Sequence, residues 1–124
     1  MFHENDIILY EIEPTDKFND DMEYYIKKKK YRNIGQDIRS ILDDLKAGLF
    51  NGDVIGDLKL DNKTYKIRVA NRDTRQGKSN GYRLIYYVEN DGKIVFLVTI
   101  YYKKDNNRIP SDYEVARSVK KYCF

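Results

Sequence analysis

The sequence is poor in the side chains that most often carry chemistry in small proteins. It has one histidine, His3, one cysteine, Cys123, two prolines and no tryptophan. One cysteine cannot form an internal disulfide. One cysteine and one histidine are too few ligands for a zinc site, so we expect no metal and no cofactor. No Gly-x-x-x-x-Gly-Lys-Ser/Thr or Gly-x-Gly-x-x-Gly motif occurs, which argues against nucleotide-binding loops.

Long apolar runs are also missing. No stretch approaches the roughly 18 apolar residues that a membrane helix needs, so no membrane partner is expected. Residues 1–6 are polar and acidic rather than basic and then apolar, which is not the pattern of a secretion signal. With a single cysteine as well, the sequence predicts a reducing compartment, most simply the cytoplasm.

What the chain has in abundance is charge and aromatic rings. Of its 124 residues, 35% are charged and 14% are aromatic, a composition of one solvated globular domain over residues 1–124. Residues 1–26 contain one Lys and eight acidic residues, a net charge of −7; since the whole chain carries +3, the remainder carries +10. A basic body of this kind favours an anionic partner, nucleic acid first, although a charged surface kept for solubility would look the same.

Hydrophobic periodicity divides the chain into helices and strands. An apolar, β-branched run at residues 7–12 predicts a strand that ends before Pro14, and Thr15 is a suitable cap for a helix whose apolar face includes Tyr25 and Ile26. Residues 34–49 carry an apolar stripe at helical spacing. From Gly52 the period changes to two.

Four strands are predicted in this second part, at residues 53–60, 64–70, 81–88 and 94–102. The connections are short, so the strands should run antiparallel, and residues 71–80 should form a flexible loop. Ser111 can cap a last helix that reaches about Tyr122. The predicted fold class is α+β: an N-terminal strand, a helical hairpin packed on a four-stranded antiparallel meander, and a C-terminal helix.

Two of these strands carry cations that could bind phosphate. Lys66 and Arg68 alternate with apolar residues, so they should project from one face about 7 Å apart, a spacing that suits successive phosphates. The alternative is an amphipathic strand whose polar face is exposed to solvent and binds no ligand. Arg83 lies in an apolar strand, where it needs an anion or acceptor, or else a structural salt bridge to a helix carboxylate. Lys78 lies in the preceding loop, where a mobile cation could close over a ligand.

The last predicted strand ends in rings and cations together. Tyr101 and Tyr102 are followed directly by Lys103 and Lys104, a pairing that suits unstacked RNA bases above a phosphate track. The alternative is a strand end with ordinary surface lysines.

These segments together resemble a known family. The order strand–helix–helix–four strands, with Tyr-Lys-Ile-Arg-Val-Ala, then Gly-Tyr-Arg-Leu-Ile-Tyr-Tyr, then Ile-Tyr-Tyr-Lys-Lys-Asp, is similar to the RelE/ParE toxin superfamily and, more narrowly, to its RelE and HigB-like branch. The resemblance runs from about residue 18 to residue 119. It implies a RelE-like toxin of a type II toxin–antitoxin system that cuts mRNA, usually in the ribosomal A site. Its implied partners are the ribosome, mRNA and a cognate antitoxin, with operator DNA contacted only through the antitoxin.

The resemblance also implies roles for individual residues. In this chain the catalytic set would be Lys66, Arg68, Arg83, Lys104 and Tyr102. RNA binding would fall to Lys78, Lys103, Tyr101 and Tyr113. Two departures from the RelE pattern stand out: the position of its base-stacking tyrosine falls near Pro110, which leaves Tyr113, Tyr101 or Tyr102 for that role, and a lysine stands where RelE has a second catalytic arginine.

Chemistry without histidine or metal is possible for RNA cleavage. A base must accept the proton of the 2′-OH, cations must stabilise the phosphorane, and an acid must protonate the leaving 5′ oxygen. A lysine beside other cations could serve as the base, although weakly, so we expect a metal-independent enzyme that depends on the ribosome to position its substrate. Two alternatives stay open: a ParE-like toxin that inhibits gyrase, and a non-catalytic nucleic-acid-binding domain of the same fold.

Overall fold

The computed structural model describes residues 9–124, and the fold it shows is α+β. The predicted strand at residues 7–12 lies partly outside the described residues, and His3 lies wholly outside them. In chain order the elements are β1 (Glu11–Pro14), α1 (Asp16–Glu23), a π-helical turn (Tyr24–Lys28), α2 (Ile34–Lys46), β2 (Asp53–Val54), β3 (Thr64–Val69), β4 (Tyr82–Glu89), β5 (Ile94–Tyr102) and α3 (Asp112–Tyr122).

One five-stranded sheet organises the molecule, with the strand order β1-β5-β4-β3-β2. Strands β2 to β5 pair antiparallel with their neighbours in sequence, which confirms the predicted meander, and β1 joins the far side of β5 in parallel. Among residues 9–124, no helix has the length and apolar character to cross a membrane.

Each face of the sheet has its own hydrophobic core, because alternate residues of β4 point to opposite faces. Leu84 and Tyr86 pack under α1 and α2, whereas Ile85 and Tyr87 pack under α3. The α3 helix is closed at its start by Ser111, whose side chain accepts from the Glu114 amide while the Glu114 side chain accepts from the Ser111 amide. This arrangement confirms the predicted cap.

Two strand predictions are wrong in extent. Strand β1 begins at Glu11 and includes Pro14, which the sheet accepts because β1 is an edge strand and Thr15 donates the next hydrogen bond to Leu97. Strand β2 is only Asp53–Val54. The rest of the predicted strand leaves the sheet, and its apolar residues pack instead on the core beneath α3.

The helices differ from prediction in detail. Ile26 is exposed although the helical pattern places it on the inner face, because the π-helical turn widens the spiral there and rotates the following residues outward. Helix α2 ends at Lys46, and Leu49 is exposed. Residues 71–80, predicted as a loop, contain 3₁₀ turns at Arg72–Thr74 and Lys78–Asn80.

Candidate RNA-binding and catalytic site

Strand register places three of the predicted site residues in one row across the sheet. Arg68 of β3 lies directly opposite Arg83 of β4, and Arg83 lies directly opposite Tyr101 of β5. Directly paired residues point to the same face, and so does Lys66, two positions before Arg68. This face is the one that carries α3, opposite the helical hairpin, because the intervening Ile67 and Val69 pack under α1 and α2.

These side chains line one open cavity of about 320 Å³. Four of its residues are cations, and the connection between β5 and α3 closes one side of it. The lining residues are Asp53, Lys66, Arg68, Arg83, Tyr101, Lys103 and Ile109. The structure therefore brings together Lys66, Arg68, Arg83, Tyr101 and Lys103 of the nine predicted site residues.

The cations of the cavity are not neutralised by ion pairs. The ion pairs among residues 9–124 join Lys17 and Arg108 to Asp21, Lys27 to Glu23, and Arg72 to Asp37, and none involves a cavity residue. The structural salt bridge considered for Arg83 is thus absent from the described part of the chain. A concentration of unpaired positive charge on rigid strands attracts a phosphate group.

Arg83 is held by carbonyl groups instead. Its guanidinium donates to the carbonyl oxygens of Lys78 and Ser79, each at 3.0 Å, and to that of Tyr82 at 3.2 Å. The side chain is only 8% exposed. Burial and the neighbouring charge of Arg68 lower the pKa of Arg83, yet the ordinary value for arginine is so high that it stays a cation. Arg83 therefore shapes the loop before β4 and contributes charge to the cavity.

The loop before β4 is also fixed from the other side. Lys103 donates from Nζ to the carbonyl oxygen of Ser79 at 3.0 Å. Lys78 is exposed and lines a neighbouring cavity of about 920 Å³, which lies between α2 and the open edge of β3. The two cavities share Asp53, Lys66 and Arg68, so a bound chain could pass from one to the other.

Tyr101 adds a neutral hydroxyl to the cationic cavity. Burial raises its pKa, and the nearby Arg83 partly opposes that rise. The phenol therefore stays protonated at neutral pH, where it can donate a hydrogen bond to a phosphate oxygen.

Three predicted site residues line neither of these two cavities. Tyr102 alternates with Tyr101 along β5, so it points to the opposite face and is buried in the core under the helical hairpin. Lys104 is exposed in the turn after β5 and does not line the cavity. Tyr113 is 74% exposed on α3, beside a separate cavity that includes Leu58.

Two residues of the cavity were not identified from the sequence. The strand predicted at residues 53–60 is longer than β2, so the pairing of Asp53 with Lys66 could not be assigned from the sequence. Ile109 lies in an irregular connection, 43% exposed, and no sequence pattern marks it. Within residues 9–124, no group of three His, Cys, Asp or Glu side chains is placed to hold a metal ion.

The connection that carries Ile109 is anchored to α1 and to the π-helical turn that follows it. The Asp21 carboxylate accepts a hydrogen bond from Arg108 at 2.8 Å, and the Tyr25 hydroxyl donates to Asp105 at 3.2 Å. The Arg108 guanidinium also lies 3.8 Å from the ring centroid of Tyr24, a cation–π contact. One wall of the cavity is therefore fixed by contacts on the far side of β5.

No protein-family model and no curated protein sequence matches this chain. Solved structures of the E. coli RelE toxin are among those similar to it. The isolated E. coli RelE toxin is 17% identical, with 90% of this chain and 97% of that chain covered and a TM-score of 0.46. A mutant of the E. coli toxin RelE in the free state is 22% identical, with 91% and 96% covered and a TM-score of 0.42. Both likenesses concern the backbone, and the chemistry of the site follows from the residues of this chain.

Proposed function

We propose that this chain is the toxin of a type II toxin–antitoxin system, an endoribonuclease that cuts mRNA in the ribosomal A site. The observation that carries the proposal is the convergence of Lys66, Arg68, Arg83 and Lys103 on one open cavity, unpaired with any carboxylate among residues 9–124. A site of this charge suits a phosphodiester, and its place on three neighbouring strands keeps it preorganised.

The cavity can stabilise the transition state of RNA cleavage. When the 2′ oxygen attacks the neighbouring phosphorus, negative charge grows on the equatorial phosphoryl oxygens. Arg68 and Arg83 can bind these oxygens, and the neutral Tyr101 hydroxyl can donate to one of them. Lys66 or Lys103 can give a proton to the departing 5′ oxygen, because a lysine ammonium is a proton donor at neutral pH.

The size of the cavity supports a role for the ribosome. At about 320 Å³ it is at the small end of the range for ligand cavities, and among residues 9–124 Tyr101 is the single aromatic residue in its lining. It therefore makes few contacts to the bases around the scissile phosphate. Free RNA must lose much conformational entropy to enter such a site, whereas the A site already holds a short unpaired segment in one pose.

An antitoxin partner follows from the same charge. A cytoplasmic enzyme that cuts mRNA must be silenced, and a protein with acidic side chains, or one that covers the cavity, would do so. Operator DNA would be contacted through that antitoxin.

The proposal is tested by mapping mRNA 5′ ends in cells after brief induction of the protein. We expect new ends at fixed positions within codons, and none after induction of the Lys66→Gln/Arg68→Gln variant. In vitro, primer extension on programmed ribosomes should show the same ends with a chelator that binds transition metals but leaves the Mg²⁺ of the ribosome in place, and free RNA should be cut slowly or not at all. Inhibition of DNA supercoiling by gyrase without RNA cleavage would favour the ParE-like alternative. RNA binding without RNA cleavage would favour the non-catalytic alternative.

A further inference from the structure

Among residues 9–124, one anionic side chain lines the cavity, that of Asp53. It lies in β2 directly opposite Lys66 of β3, so its carboxylate and the Lys66 ammonium rise from the same face of the sheet. All other residues of the lining are cations, a phenol or an aliphatic side chain. A lone carboxylate in a site that binds a polyanion weakens binding by repulsion, so its presence there points to a role in the reaction.

The carboxylate of Asp53 is not occupied by an ion pair or a hydrogen bond within the described residues. Among residues 9–124, no ammonium or guanidinium nitrogen lies within 4.0 Å of its carboxylate. It is exposed, and its side chain makes no hydrogen bond to the described residues. Its oxygens are therefore free to accept a proton from a ligand.

The backbone around Asp53 is nevertheless fixed in place. The Tyr86 hydroxyl donates to the carbonyl oxygen of Asn51, and the Ile55 amide donates to Thr64 at 2.8 Å, so the short strand is held on both sides. Gly52 has φ of +106°, and a Cβ there would lie 2.6 Å from the carbonyl oxygen of Lys66. Only glycine permits this close approach, which brings Asp53 to its place at the rim of the cavity.

We infer that Asp53 is the general base of the proposed ribonuclease, the catalytic residue that accepts the proton of the attacking 2′-OH. The inference rests on the proposed function and replaces the lysine base considered from the sequence. A carboxylate is ionised at neutral pH and can accept a proton at once, whereas an ammonium must first lose one. Among residues 9–124, Asp53 is the one carboxylate that lines the cavity.

The step balances without a cofactor. The 2′-OH gives its proton to an Asp53 oxygen, the 2′ oxygen forms a bond to phosphorus, and the bond from phosphorus to the 5′ oxygen breaks. A lysine ammonium of the cavity protonates the leaving 5′ oxygen. The products are a 2′,3′-cyclic phosphate and a free 5′-OH, and proton exchange with water restores both side chains.

The test uses full-length protein, programmed ribosomes and a short mRNA with the codon that the mapping experiment identifies. Single-turnover rates are measured for wild type, Asp53→Asn, Asp53→Glu and the matched control Asp61→Asn. Asp61 also loses one negative charge in this change, but it lies in an exposed bend outside the cavity. We expect Asp53→Asn to slow cleavage by roughly 10²- to 10⁴-fold, Asp53→Glu to retain part of the rate, and Asp61→Asn to match wild type.

Two modified substrates identify the step. With sulfur in place of the bridging 5′ oxygen, the leaving group needs no proton, so a defect in general acid catalysis disappears and a defect in general base catalysis persists. We expect Asp53→Asn to remain slow on this substrate. With a 2′-deoxy nucleotide at the cleavage site the RNA cannot be cut, and its affinity for Asp53→Asn should equal or exceed that for wild type, since a repulsive charge is gone.

Several results would overturn the inference. Wild-type rates for Asp53→Asn would do so, as would full rescue by sulfur, or a loss of 2′-deoxy RNA affinity as large as the loss of rate. If wild-type protein cuts no RNA, the proposed function fails and the inference fails with it. If wild type leaves cyclic phosphate ends and Asp53→Asn cuts equally fast, the proposed function stands and the role of Asp53 alone is refuted.

Discussion

Replacing Arg68 should stabilise the protein while it removes activity. Arg68 and Arg83 are directly paired across β3 and β4, so two like charges face each other on one side of the sheet. The charge of Arg68 is one of the two causes that lower the pKa of Arg83, which reports the same repulsion. Cross-strand pairs of this kind contribute about 0.2–1 kcal/mol, here unfavourably. The Arg68→Gln substitution keeps a long polar side chain and removes the charge.

For a chain of this length, that free energy corresponds to a rise in Tm of about 1–4 °C. The assay is thermal unfolding at low salt and again in 1 M salt, where a Debye length of about 3 Å should reduce the gain. Arg32→Gln is the matched control, since Arg32 is exposed in the link between the helices and is in no ion pair among residues 9–124. A lower Tm for Arg68→Gln, or a gain that salt does not change, would refute the repulsion that we assign to this pair.

Two further predictions concern the loop before β4 and the lone thiol. Gly81→Ala should lower the free energy of unfolding by about 1–3 kcal/mol and disorder the loop, because the new Cβ would lie 2.0 Å from the Val69 carbonyl oxygen. Gly77→Ala in the same loop has free space and should unfold like wild type; equal melting of the two variants would contradict the argument. Burial raises the pKa of Cys123 to about 12, so native protein at pH 8 should react with iodoacetamide far more slowly than protein in urea. Equal rates in the two conditions would contradict that burial.

The sequence was sufficient for the parts of the fold that rest on local rules. The strand predicted at residues 94–102 matches the observed bounds of β5, and Ser111 marked the start of α3. Alternation along β3 also placed Lys66 and Arg68 on the face away from the hairpin. These features depend on neighbouring residues alone, so one sequence is enough to predict them.

The parts that failed depend on tertiary structure. The period of residues 53–60 suits a strand, but Asp57 and Lys59 adopt left-handed backbone conformations, so the pairing ends after Val54. Without that knowledge the register of Asp53 against Lys66 could not be assigned. Tyr102 was placed in the site because it adjoins Tyr101, although alternation along β5 puts the two rings on opposite faces.

The contacts that α1, its cap Thr15 and the π-helical turn make with β5 have a consequence for how the protein folds during synthesis. Thr15, Asp21 and Tyr25 form hydrogen bonds with partners on β5 and the turn that follows it, and these bonds join residues 77 to 87 positions apart. Strand β5, the inner strand that pairs with both β1 and β4, is the last strand of the sheet to be synthesised. Contacts at such long sequence separation form late and slow the folding of a domain. A nascent chain that stops before residue 102 therefore lacks part of β5, and one that stops before residue 109 lacks a wall of the cavity. The protein should acquire its cavity only after residue 109 has been translated.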